Sequence, residues 1–174
     1  LPFSHRLSGV VAALLLAACG NGPAVANEDA RPFSLSEHGR FNEPWAMAFL
    51  PDGRALVTEK SGQLKLWRDK GAVTLVSGTP TVSYAGQGGL GDVVLHPDFA
   101  RNRVIYLSWA EAGGDVKGAA VGRATLVEDA TGARLDGLEV IWRQSPKVAG
   151  NGHFGHRLAF GPDGKLYISS GERQ

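Results

Sequence analysis

A polar, glycine-rich segment, residues 149–157, carries the residue types best suited to acid–base chemistry. It contains His153 and His156 and lies directly before an apolar run that predicts a strand. Binding groups concentrate in loops held on a rigid scaffold. A histidine titrates near neutral pH, so His153 is a candidate general base, the alternative being an imidazole that only hydrogen-bonds its own loop. Two histidines alone make a weak signal for a metal site, and His156 is given no role.

A second glycine-rich segment, Gly86 to Gly91, formally matches the G-x-G-x-x-G pattern of dinucleotide-binding sites. That pattern works only where it opens a helix whose N-terminus faces the pyrophosphate. The following residues, Asp-Val-Val-Leu-His-Pro at 92–97, are β-branched and end at a proline, which predicts a strand. The glycines therefore indicate a close approach of the backbone to a ligand or a neighbouring element, and not a dinucleotide site.

Tight turns punctuate the chain and define the elements that must position these loops. Pro51-Asp52-Gly53 and Pro162-Asp163-Gly164 each separate two apolar runs, and Pro97-Asp98 gives a more divergent third copy. Proline presets the first turn position, aspartate bonds back to the backbone, and glycine accepts a positive φ. Each copy therefore predicts strand, tight turn, strand. Further short strands are predicted at 63–67, 73–76, 122–127 and 138–142, and no segment has the pattern of a long amphipathic helix.

The spacing of these turns indicates the architecture. Their prolines lie at positions 51, 97 and 162, which makes the intervals 46 and 65 residues. Periods of about 40 to 50 residues with several strands each are typical of propeller blades. We predict an all-β protein with a β-propeller, of which this chain covers roughly the first three blades. Because propellers close with roughly 4 to 8 blades, we expect a fragment of a longer protein. The alternative is a β-sandwich or an irregular β protein.

The N-terminus carries an export pattern. An apolar run after Arg6 is too short to span a membrane but suits a secretory signal, and Leu16-Ala17-Ala18-Cys19 resembles the lipobox of bacterial lipoproteins. We predict a lipoprotein signal peptide at 1–18, acylation of Cys19, a linker at 19–32 and a partial propeller at 33–174. The alternative is an ordinary signal cleaved near Ala24 or Ala26. Either way the protein is exported to the periplasm, and acylated Cys19 followed by Gly20 suits an outer-membrane anchor.

Charge excludes one class of partner. Without Arg6, the 18 basic residues fall to 17 against 17 acidic residues, so the mature chain is formally neutral. Nucleic-acid binding needs a basic face, and we expect no nucleic-acid partner. A single cysteine allows no internal disulfide, so stability must come from burial.

Four motifs in order make the chain resemble a known family. It is similar to the soluble sugar dehydrogenases that use pyrroloquinoline quinone (PQQ), the glucose/sorbosone dehydrogenase family, and most similar to the bacterial aldose sugar dehydrogenase branch. The resemblance extends from Phe41 to Gly171, and each motif is modest by itself. The motifs are 44–52, 86–90, 95–99 and 153–158.

The resemblance implies a six-bladed propeller with PQQ on its axis and calcium at the cofactor. His153 matches the histidine that takes the proton from the anomeric hydroxyl of an aldose while the C1 hydride passes to the quinone, giving the lactone. Gln87 matches a cofactor contact. Some members carry an acidic residue directly before the histidine; here that position is Gly152, which leaves Asn151 as the candidate for that contact.

The resemblance also sets what this chain is expected to lack. Contacts to the quinone carboxylates and the calcium ligands are expected beyond Gln174, so the chain alone is expected to be inactive. The expected partners of the whole protein are an aldose substrate, PQQ and an electron acceptor. The alternative function is a non-catalytic propeller that binds a sugar or a protein partner, since propellers host many functions. Such a module would have no need for a base at His153 beside Gln87.

Overall fold

The computed structural model describes residues 32–173, apart from the side chain of Lys70. The predicted signal peptide 1–18, the lipidation candidate Cys19 and nearly all of the predicted linker 19–32 lie outside the described residues. Of the unit Leu1–Ser36 the structure shows only residues 32–36, which are exposed and form no helix or strand. The strands all belong to the unit Glu37–Gln174. No helix within residues 32–173 is long and apolar enough to cross a membrane.

The described residues form an all-β fold, as predicted. One helical turn, α1 (Phe99–Asn102), and one 3-10 turn (Asp69–Gly71) interrupt it. The strands are β1 (Pro44–Phe49), β2 (Ala55–Glu59), β3 (Gln63–Trp67), β4 (Val73–Ser77), β5 (Leu90–Leu95), β6 (Val104–Gly113), β7 (Val116–Asp129), β8 (Gly132–Arg143), β9 (Gly155–Phe160) and β10 (Leu166–Ser170).

The strands group into antiparallel meanders. β1 to β4 pair in sequence order, β5 to β8 do the same, and β9 pairs with β10. The two meanders touch edge to edge where β4 runs parallel to β8 at Val76 opposite Ala133 and Ser77 opposite Arg134. A four-stranded antiparallel meander is the propeller blade. The expectation of roughly three blades thus corresponds to two complete blades and one hairpin of the next.

Two of the three predicted turns are confirmed. Between β1 and β2, Gly53 adopts a φ of 85° and its N–H donates to Leu50 O at 3.0 Å; Gly164 repeats this between β9 and β10, with its N–H 3.0 Å from Gly161 O. The third copy differs, because α1 lies between β5 and β6. There the His96 ring accepts from Asp98 N at 2.9 Å, which gives His96 a structural role in the turn.

Apolar faces of successive blades pack on one another. The larger cluster joins the first two blades and includes Leu56, Leu90 and Trp109, all almost fully buried. A smaller cluster joins the second blade to the β9–β10 hairpin around Tyr106 and Leu158. Full burial of such a side chain contributes about 1.5–3 kcal/mol, so these faces hold the blades at fixed positions.

Buried hydroxyl groups add a polar link between blades. In β2, Thr58 Oγ1 accepts from Ala46 N at 3.0 Å within its own blade and donates to Gly91 O of the next blade at 2.7 Å. The hydroxyl group thus pairs with a backbone N–H in the first strand of its own blade and with a backbone carbonyl in the first strand of the next blade. We name this arrangement a hydroxyl clasp.

The clasp repeats along the chain. In β6, Ser108 Oγ accepts from Asp92 N at 2.8 Å and donates to His156 O of β9 at 2.7 Å. In β10, Ser169 Oγ accepts from Arg157 N at 2.9 Å. The same strand position therefore carries a hydroxyl in all three repeats, and the clasps tie β1 to β5 and β5 to β9.

Candidate active site

Loops from both blades and the hairpin line one pocket. The segments before β5 and β9, the start of β1 and the end of β2 surround a cavity of about 300 Å³. Its lining residues are Trp45, Lys60, Gly86, Gln87, Gly88, Phe154, Gly155 and His156. The fold therefore brings the two glycine-rich segments of the sequence together.

His153 lies beside this pocket and is held from two sides. Its backbone adopts a φ of 51°, and its N–H donates to Gln87 Oε1 at 2.8 Å. Its ring Nδ1 hydrogen-bonds the Glu172 carboxylate, and its side chain is 41% exposed. The left-handed conformation is uncommon outside glycine, and it persists here because Gln87 fixes the backbone. The two strongest site residues of the sequence are thus in direct contact.

Glu172 is a site residue that the sequence reasoning missed. Its hydrogen bond from His153 lowers the pKa of the Glu172 carboxyl below its usual range. An ionised carboxylate only accepts hydrogen bonds, so His153 Nδ1 is the donor to Glu172, and in the neutral ring Nε2 is then the acceptor. A carboxylate that orients a histidine and leaves Nε2 basic is the arrangement of hydrolase triads. The geometry therefore suits proton abstraction by His153.

Asn151 holds the Gln87 loop. Its carbonyl oxygen accepts from Gln87 N at 2.7 Å, and its side-chain oxygen accepts from Lys117 Nζ. The approach is so close that a Cβ on Gly86, whose φ is 61°, would lie 2.5 Å from Asn151 O. Glycine is required there. Asn151 thus positions Gln87, while a direct contact between Asn151 and a cofactor stays a prediction.

Arg173 anchors the segment that precedes His153. Its guanidinium donates to Gly150 O at 3.2 Å and to Gly152 O, and it lies 3.4 Å above the Phe154 ring. The side chain is buried, and two backbone acceptors and an aromatic face take the place of water around its terminal nitrogens. Sequence reasoning also missed Arg173. The signal was available, because an antiparallel hairpin returns the end of β10 to the start of β9.

His156 is buried between aromatic rings. Its imidazole stacks on Phe154 at 5.5 Å and meets Trp45 edge-on at 5.7 Å, and neither ring nitrogen has a hydrogen-bond partner among the described residues. Burial, with the nearby Arg173 charge, lowers the pKa of His156 to about 4. Gly91 makes room for the ring, since a Cβ there would lie 2.6 Å from it. His156 is thus neutral at pH 7 and belongs to the pocket wall.

Comparison with known proteins gives a consistent picture. Residues 41–174 match the family model described as Glucose / Sorbosone dehydrogenase. The chain is 45% identical over 136 residues to the aldose sugar dehydrogenase YliI of Escherichia coli strain K12, an alignment that covers 76% of this chain and 36% of that protein.

Solved structures agree with the sequence match. The apo form of the soluble aldose sugar dehydrogenase from Escherichia coli has a TM-score of 0.69 and 43% identity, over 75% of this chain and 38% of that one. The PQQ-bound aldose sugar dehydrogenase from Streptomyces coelicolor has a TM-score of 0.66 and 32% identity, over 77% of this chain and 39% of that one.

The alignments cover about three quarters of this chain but less than half of each relative. The chain spans less than half the length of the relatives that it matches. Together with the two four-stranded blades, the similarity to these sugar dehydrogenase structures confirms the predicted β-propeller class. The chain belongs to the glucose/sorbosone dehydrogenase family.

Proposed function

We propose that the protein is a quinoprotein oxidoreductase that oxidises the C1 hydroxyl of aldose sugars to the lactone, with His153 as general base. The observation that carries the proposal is the double hold on His153, by Gln87 at its backbone and by Glu172 at Nδ1. This hold leaves Nε2 as the one basic atom of the ring, beside a pocket of about 300 Å³. A binding-only module has no need for such a base.

The pocket fits the quinone cofactor that the family implies. Trp45 and Phe154 give it aromatic walls, Lys60 contributes an ammonium group and Gln87 an amide. Flat apolar walls with hydrogen-bond donors suit a planar aromatic acid such as PQQ. The PQQ-bound relative from Streptomyces coelicolor supports this choice. When bound, PQQ supplies the two-electron acceptor for the C1 hydride.

The residues of this chain perform the proton half of the reaction. His153 Nε2 takes the proton of the anomeric hydroxyl while the C1 hydride, which carries both electrons, leaves toward the acceptor, so the sugar loses two protons and two electrons in total. The resulting imidazolium is stabilised by Glu172 through Nδ1. Arg173 and Gln87 keep the backbone of the His153 segment in place, which limits the reorganisation needed at the moment of transfer.

The proposal is tested by His153→Ala in the quinone-loaded protein. Sugar-dependent dye reduction should fall by at least ~100-fold, the usual effect of losing a general base, while the Kd for PQQ changes little. His38→Ala, at another exposed histidine, is the matched control and should retain full activity. Near-normal turnover of His153→Ala removes His153 from the mechanism. Sugar binding without turnover in the wild-type protein points instead to a non-catalytic propeller.

The localisation and the calcium ion belong to the same proposal. The lipobox supports export to the periplasm and an outer-membrane anchor on Cys19, and the family resemblance supports calcium at the cofactor. Metabolic labelling with palmitate tests the anchor, because Cys19→Ser should abolish the label and release the protein from membranes. Labelling of the Cys19→Ser variant contradicts it.

A further inference from the structure

The pocket contains polar groups that the proton transfer does not use. Of the residues that line it, Lys60 is the one charged side chain, and no aspartate or glutamate faces it. His153 and Glu172 lie beside the pocket and are not part of its lining. The lining is therefore positive and rich in hydrogen-bond donors, which is the chemistry that recognises an anionic oxygen.

Lys60 keeps most of its capacity to bind a ligand. Its side chain is 24% exposed, with Nζ 3.6 Å from Glu43 Oε1 and 4.8 Å from the centre of the Tyr84 ring. Glu43 is itself 45% exposed and accepts a hydrogen bond from the Tyr84 hydroxyl. A long ion pair of this exposure is weak, and an ammonium group has three donors. A carboxylate in the pocket can therefore engage Lys60 without breaking a strong internal contact.

The buried ring of His156 is a second feature of the pocket that points to a ligand. Its side chain is 3% exposed and lines the pocket, yet both ring nitrogens lack partners among the described residues. A buried polar atom without a hydrogen bond is costly, and native structures keep few of them. A neutral imidazole can donate one hydrogen bond. An oxygen ligand that reaches this ring on binding would give His156 the bond that residues 32–173 do not provide.

Gln87 adds a donor in the same place. Its Oε1 is occupied by His153 N at 2.8 Å, which leaves the side-chain NH₂ for a ligand. We propose that Lys60 and His156, next to Gln87, form a carboxylate-binding subsite. The inference rests on the proposed sugar oxidation and names the ligand chemistry of that site. The carboxylate has two possible sources, the quinone cofactor or a sugar acid oxidised as substrate.

The test compares Lys60→Gln and His156→Phe with Lys165→Gln. Lys60→Gln removes the charge at a partly exposed position, so the variant should fold, and His156→Phe keeps a ring of similar size without nitrogens. Lys165 is 77% exposed in the β9–β10 turn and serves as the control. The first arm measures the Kd for PQQ and for phenanthrenequinone, which has no carboxylate, by quenching of tryptophan fluorescence. The second arm measures KM for glucuronate and for glucose.

The two arms separate the sources. A rise of about tenfold or more in the Kd for PQQ in Lys60→Gln, with phenanthrenequinone unaffected, assigns the cofactor carboxylate. A similar rise in KM for glucuronate, with glucose and PQQ unaffected, assigns a substrate carboxylate. Wild-type values in both arms for Lys60→Gln and His156→Phe overturn the subsite while the proposed oxidation stands. A wild-type protein that neither binds PQQ nor oxidises aldoses overturns both proposals.

Discussion

The hydroxyl clasp at Thr58 allows a stability prediction that does not depend on catalysis. Thr58 is fully buried, and its hydroxyl links Ala46 N to Gly91 O. Thr58→Val keeps the shape of the side chain and removes both hydrogen bonds. We expect the variant to fold with the same blades and a weaker connection between them.

The structure sets the size of the effect. Both partner groups belong to buried residues, so neither gains water in exchange for the lost bond. An unpaired buried donor or acceptor costs about 1–3 kcal/mol, which makes the expected loss about 2–6 kcal/mol for the two groups. At a urea m-value of about 2 kcal/mol per molar, the unfolding midpoint should fall by about 1–3 M.

Urea unfolding followed by tryptophan fluorescence measures this loss, with two control variants. Thr58→Ser keeps the clasp and removes one methyl group, so it should lose only about 1 kcal/mol. Thr125→Val makes the same chemical change at a half-buried threonine whose hydroxyl has no hydrogen bond within residues 32–173, and it should leave the midpoint near that of the wild type. If Thr58→Val unfolds at the wild-type midpoint, the clasp does not stabilise the blade interface.

Three further predictions concern the site and its support. Glu172→Gln should lower turnover roughly 10- to 100-fold, because the His153 ring loses the carboxylate that orients it, while the Kd for PQQ stays unchanged. Unchanged turnover contradicts the role of Glu172 in orienting His153. Asp92→Asn should cost about 1–3 kcal/mol in urea unfolding, because the buried carboxylate accepts from Leu158 N at 2.8 Å and an amide NH₂ cannot replace both of its oxygens. Acid should destabilise the protein through His156, whose pKa of about 4 in the folded protein lies below the ordinary 6.5. Between these two pH values only the unfolded state takes up the proton. The free energy of unfolding should therefore fall by up to about 3 kcal/mol from pH 6.5 to pH 4. His156→Phe should flatten that pH dependence, and an unchanged slope assigns it to other groups.

Local turn chemistry made much of the fold predictable. Pro51-Asp52-Gly53 and Pro162-Asp163-Gly164 specify their turns by themselves, since each residue type suits one turn position. Pro97-Asp98 lacks the glycine, and the chain there forms a helical turn instead. Strand lengths were less predictable. β7 and β8 extend well beyond the predicted 122–127 and 138–142, because long-range pairing between them continues where local alternation is weak.

The candidate site was predictable only in part. His153 and Gln87 stood out by residue type and by the family resemblance, and the structure brings them into contact. The roles of Glu172 and Arg173 depend on the pairing of β9 with β10, which returns the chain to the His153 segment. The burial of His156 depends on two rings and a glycine that are distant in sequence. No local pattern encodes these contacts of His156.

The hydroxyl clasps also bear on how this scaffold can change over time. Thr58 reaches Gly91 across a sequence separation of 33 residues, whereas Ser108 reaches His156 across 48, yet the two bonds are equally short. The longer connection at Ser108 is therefore accommodated without altering how adjacent blades meet. Outer strands and their connections are free to lengthen, to be exchanged between relatives or to be grafted in the laboratory, provided that each second strand keeps its serine or threonine.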